Sequence, residues 1–169
     1  MRTFNRVRLL CERRLGGVPV PAPFDLDAFA GSVARHRGRR LIVALLPGLD
    51  GTDALTGAWV ADDTADYIFT DFDASPWHRG LIGAHEIAHM LCGHHPDLTV
   101  TGDLCALLRS GTGLTLPAHA YSRPEERDAE LLARLILERA DTLAPVTAPG
   151  REGTAARLAQ ALRHPVRRV

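Results

Sequence analysis

Apolar positions in this chain recur with two periods, and Gly, Pro and capping residues mark where one gives way to the other. Residues 3–15 predict a first helix, ended by Gly16-Gly17 and the stiff PVPAP segment. Behind an Asp25 cap, Leu26, Phe29, Ala30 and Val33 share one helical face, which predicts a second helix reaching about Arg37. LIVALLP (41–47), a short apolar run between Arg39-Arg40 and a Pro-Gly turn, predicts a buried strand. GAWVA (57–61) and DYIFT (66–70) flank the turn-prone Asp62-Asp63-Thr64 and predict an antiparallel hairpin. Trp59, Tyr67, Ile68 and Phe69 are expected to pack it, and an exposed hairpin edge would suit an extended peptide.

Helical spacing then returns. Ser75 followed by Pro76 is an N-cap with proline at the first helical position, opening a helix through PWHRGLIGAHEIAHMLC to Gly93. Residues 94–120 read as loop around one short helical stretch, DLCALLRS. Ser122 caps RPEERDAELLARLILERA, in which Ala129, Leu132, Ala133, Ile136 and Leu137 form an apolar stripe. After a Thr/Ala/Pro/Gly break at 147–153, TAARLAQALRH predicts a terminal helix. The class is α+β, with a small, mostly antiparallel sheet on a helical body. At roughly 150 residues per domain, the 169 residues make a single domain, its core at about 40–140 and helical extensions at both ends.

Composition narrows the functional classes. With 46% apolar and 24% charged residues, a disordered tail, a collagen-like repeat and a coiled coil are excluded. No run approaches the ~20 apolar residues of a membrane span, and charges stand where a signal peptide would be apolar, so a cytoplasmic protein is expected. Cys11, Cys92 and Cys105 offer neither a disulfide framework nor a CxxC zinc site. All 20 basic residues are Arg, which reads as the coding bias of a GC-rich bacterium. Nine of them lie in residues 1–40 against Glu12, Asp25 and Asp27, a basic face read as solvated helix surface. Without an aromatic platform or DNA-reading motif, direct nucleic-acid binding is not expected.

The chemistry centres on His85-Glu86-Ile87-Ala88-His89, an HExxH motif. At 3.6 residues per turn the two histidines stand one above the other, so both imidazoles reach one Zn²⁺. Glu86 projects about 100° around the helix, the placement of a general base toward water at that metal. A third ligand must come from elsewhere. Glu125 and Glu126 flank the N-terminal extension of the apolar stripe, and helical phase does not choose between them. His95 is a rival, because His85, Glu86, His89 and His95 fit HExxHxxGxxH, although Cys92 stands at its Gly position and no methionine follows for a Met-turn. Cys92 itself reads as a small core residue. His119 and Tyr121, just ahead of the Glu-bearing helix, are candidate oxyanion donors.

HEIAHMLCGHH, followed by Glu126-Arg-Asp-Ala129-Glu-Leu-Leu-Ala133, resembles the ImmA/IrrE family of metallopeptidases, whose signature is a helix-borne HExxH and a later ExxA helix. The resemblance spans roughly residues 40–140. It implies a compact zincin-like domain with a gluzincin-type site: His85, His89 and Glu126 as zinc ligands and Glu86 as catalytic base. It further implies endopeptidase activity on a protein substrate, with a helix-turn-helix repressor of the XRE type as partner. Two positions depart from the family. Its usual Asn after ExxA is Glu130 here, which could still hydrogen-bond a ligand histidine, and its FAxxLL run is degraded to Leu132-Ala133-Arg-Leu135-Ile136. The alternative class is a binding module that keeps this fold to sequester a regulator, with the metal structural or absent.

Overall fold

The computed structural model describes residues 9, 11–46, 57–109 and 121–143. Its elements are α1 (Leu26–Arg37), β1 (Arg40–Leu46), β2 (Gly57–Ala61), β3 (Ala65–Asp71), α2 (Pro76–Cys92), β4 (Leu98–Thr99), α3 (Leu104–Arg109) and α4 (Arg123–Leu143). Residues 11–15, ahead of α1, are also helical. The start of that first helix, the Pro47-Gly48 turn, the loop around His119, the break at 147–153 and the terminal helix from Thr154 lie outside the described residues.

Capping chemistry sets the helix ends. The Asp25 carboxylate accepts the Ala28 N–H at 2.7 Å, and Gly38 closes α1 in the left-handed region. Ser75 accepts the His78 N–H, Pro76 opens α2, and Gly93 ends it at φ 77°. At the start of α4, the Ser122 N–H and hydroxyl both donate to the Glu125 carboxylate at 2.8 and 2.7 Å, half of a capping box.

The fold is mixed α+β, with a four-stranded sheet in the order β1-β3-β2-β4. The expected hairpin is present, with Trp59 opposite Ile68. The sheet is nevertheless not mostly antiparallel. β3 pairs in parallel with β1 from Arg40↔Ala65 to Leu46↔Asp71, and β2 pairs in parallel with β4 at Val60↔Leu98. The cause is connectivity: β3 inserts between β1 and β2, and the hairpin reversal turns it back into the direction of β1. Insertion also explains why Ala65–Thr70 are buried without a break.

The two sheet faces carry separate clusters. Trp59 and Ile68 meet Phe29, Val33, Ala84, Ile87, Ala88, Leu132 and Ile136 on the helical side. Val60, Tyr67 and Phe69 point the other way, onto Leu104 of α3. Gly83 lets α2 close on α1, since a Cβ there would meet Leu26 Cδ2 at 2.4 Å. Two buried carboxylates tie the layers. Asp66 accepts from Arg37 at 2.7 Å, Arg39 at 3.0 Å and the Trp59 indole at 3.0 Å, so part of the expected basic face turns inward. Asp62 accepts from the Thr64, Ala65 and Leu104 amides and the Tyr67 hydroxyl, fastening the hairpin turn to α3. Burial opposes its ionisation, but those hydrogen bonds outweigh it and hold Asp62 well below the usual carboxylate range. Cys11 and Cys92 are buried and all three cysteines are free. No helix among the described residues is long and apolar enough to cross a membrane.

Candidate metal centre

α2 and α4 pack side by side through small residues, Ala84 and Ala88 on one helix and Ala129 and Ala133 on the other, all buried. That close approach brings the first turn of α4 over the middle of α2. There the Nε2 atoms of His85 and His89 lie 3.0 Å apart, with Glu126 Oε2 at 3.2 Å from the first and 3.7 Å from the second. Tetrahedral zinc with ligands at about 2.0–2.1 Å holds its donors about 3.3 Å apart. The three separations straddle that edge length, and two imidazole nitrogens at 3.0 Å need a proton or a cation between them. His85, His89 and Glu126 are therefore a group that could hold a metal ion.

The surroundings differ for each side chain. His89 is fully buried, and burial, then His85 and His94, push it down to about 3, leaving a neutral imidazole with a free lone pair. Glu86 is also buried, its carboxyl against Gly57 of β2, where a Cβ would come within 3.0 Å of Oε1. Burial, followed by the carboxylates of Asp97 and Glu126, holds Glu86 well above the ordinary carboxylate range. Glu126 keeps about half of its side chain exposed, so the group opens to solvent on the α4 side.

The remaining sequence candidates separate. Glu125 turns back to cap Ser122, which removes it from the ligand set. His95 is exposed and stands apart from the converging atoms. Cys92 is core. Glu130, expected to bond a ligand histidine, pairs instead with Arg134 at 3.1 Å. Four residues beyond Glu126 the helix has risen about 6 Å, past the histidines. Tyr121 lies against the group: its ring stacks on His89 at 3.7 Å, and its buried Oη, close to Asp97, Glu86 and Glu126, makes no well-formed hydrogen bond. His119 lies outside the described residues. The hairpin edge is also less open than expected. The Trp59 N–H donates to the Asp97 carboxylate at 2.6 Å, the Asp97 N–H returns to Trp59 O, and Ala61 O accepts from Val100.

Three neighbours escaped the sequence reading. Gly57 carried a signal, since a glycine opening a strand often marks a close approach. His94 bonds His89 across the turn at Gly93; that glycine marks where the helix ends, but not which side chain the turn brings back to its face. Asp97 follows a proline in a loop and offered no signal. Comparison with known proteins returned no matching family model, no matching curated protein and no matching solved structure.

Proposed function

We propose that this chain is a zinc-dependent endopeptidase of the gluzincin type, with a zincin-like fold akin to the ImmA/IrrE peptidases it resembles in sequence. The observation that carries the reading is the meeting of His85 Nε2, His89 Nε2 and Glu126 Oε2 from two helices, with the buried Glu86 carboxyl on the same helix as the histidines. In this reading His85, His89 and Glu126 hold Zn²⁺, which supplies Lewis acidity that polarises a scissile carbonyl and acidifies water. Glu86 takes the proton of the attacking water and returns it to the leaving amine. Burial and the nearby Asp97 and Glu126 carboxylates raise the proton affinity of Glu86, which suits the second transfer. Gly57 keeps the strand backbone close to that carboxyl, which limits the water it can meet. The substrate class is a protein, with an XRE-type helix-turn-helix repressor as the partner the resemblance favours.

The test pairs metal analysis with one substitution. Purified protein should carry about one zinc per chain, as three protein ligands and water imply. Glu86→Gln should retain it while cleavage of a co-expressed repressor, followed on gels, falls by at least a hundredfold, of the order general-base catalysis supplies. Failure to bind zinc after reconstitution overturns the reading. Full function in the Glu86→Gln protein assigns the chain to the sequestering class instead.

A further inference from the structure

The Gly93 turn does more than end α2. Its N–H bonds back to Met90 O and the following N–H, of His94, to His89 O at 3.1 Å, the paired bonds of a Schellman reversal. The chain thereby folds back on the helix face it has just left, and the His94 imidazole arrives edge-on to His89. The two Nδ1 atoms are 2.9 Å apart and the ring planes meet at 64°.

That contact has only a few proton arrangements. A bond between two ring nitrogens carries one hydrogen, so one Nδ1 donates and the other accepts. His89 Nε2 is the atom facing His85 Nε2 and Glu126 Oε2, where ligation requires a bare lone pair. A neutral imidazole has one N–H, and in His89 it must then sit on Nδ1. His94 Nδ1 accepts it and keeps its own hydrogen on Nε2. Metal-bound histidines usually give this second N–H to a carboxylate or a carbonyl oxygen. Glu130, the carboxylate the sequence offered for that task, is engaged with Arg134.

We infer that His94 is a positioning residue of the metal centre, accepting the His89 Nδ1 hydrogen and so holding His89 in the tautomer and orientation that leave Nε2 free for the ion. The inference rests on the zinc-centre reading above and adds a residue to it. Tyr121 supplies the complementary constraint, its ring lying at 24° to the His89 plane: stacking fixes the plane, and the hydrogen bond fixes which edge faces the group.

Zinc titration of the full chain tests this without reference to activity. His94→Leu removes the acceptor and should weaken zinc binding 10- to 100-fold, the usual effect of losing such a partner. His94→Asn places an amide oxygen near the former Nδ1 and should recover affinity to within a few fold of wild type. Equal affinity in wild type and His94→Leu overturns the inference and leaves the metal centre standing. A wild-type chain that binds no zinc overturns the centre and the inference together. If the variants do not fold, nitrogen NMR of the zinc-loaded wild type decides. A coupling across the hydrogen bond between the two Nδ1 nuclei, with the hydrogen on His89, supports the inference; a hydrogen on His89 Nε2 refutes it.

Discussion

Gly57 is glycine because its neighbours occupy the space of a side chain: a Cβ would stand 2.4 Å from Ile82 Cγ2 and 3.0 Å from Glu86 Oε1. Gly57→Ala should therefore cost about 1–3 kcal/mol through overpacking, read by urea denaturation, and should displace the Glu86 carboxyl. Asp62 gives a test in pH. Its folded-state affinity for protons lies below the unfolded value of 3.8, so its contribution to stability is complete above that pH and is lost as acid protonates it. Denaturation at pH 5, 4 and 3 should show wild-type stability falling below pH 4 more steeply than that of Asp62→Asn, by at most about 1.4 kcal/mol per pH unit. At this scale the sequence was most readable where function follows spacing. His85, Glu86 and His89 lie within one helical turn, so their geometry is local. Glu125 and Glu126 differ by one helical step and were left open by phase, although Ser122-x-x-Glu125 already spelled a capping signature that would have chosen between them. Asp66 was unreadable, because its partners come from two separate places in the chain, Arg37 and Arg39 at and just past the end of α1 and Trp59 in β2.

Among elements, α2 and α4 begin where their sequence signals place them, and α2 also carries its own stop. Ser75-Pro76 and Gly93 bound the first, and Ser122 opens the second. β4 went unseen, since two residues cannot display a period; it exists because Asp97 and Val100 hold the chain along β2. The expected antiparallel sheet failed for a related reason: period and turn chemistry reveal that strands exist, while neighbour order depends on where the connection between β1 and β2 leaves room. Gly93 offers the test at this scale. At φ 77° an alanine is strained, so Gly93→Ala should destabilise the protein by about 1–2 kcal/mol. Because the same turn delivers His94 to His89, the substitution should also weaken zinc binding, whereas Gly38→Ala, strained equally at the end of α1, should leave zinc affinity unchanged.

Across the whole molecule, the candidate ligands come from two helices nearly forty residues apart, so an ion that binds only the folded chain joins them. Zinc at a hundred times its dissociation constant should add about 2.7 kcal/mol to stability, seen as a rise in Tm that a chelator reverses and that His85→Ala lacks. The separation that made Glu126 hard to identify from sequence is what gives the ion this reach. Insertion of β3 between β1 and β2 carries a different consequence, for the order in which the chain assembles. The hairpin closes on itself across the Asp62–Ala65 turn, while Arg40 must wait for Ala65, about 25 residues on, and the loop-closure entropy falls more heavily on the second step. β1 has no strand to dock on until the hairpin has formed. In stopped-flow chevrons Ile68→Ala should accordingly slow refolding, whereas Val43→Ala, its cross-strand neighbour, should chiefly accelerate unfolding, placing the rate-limiting nucleus in residues 57–71.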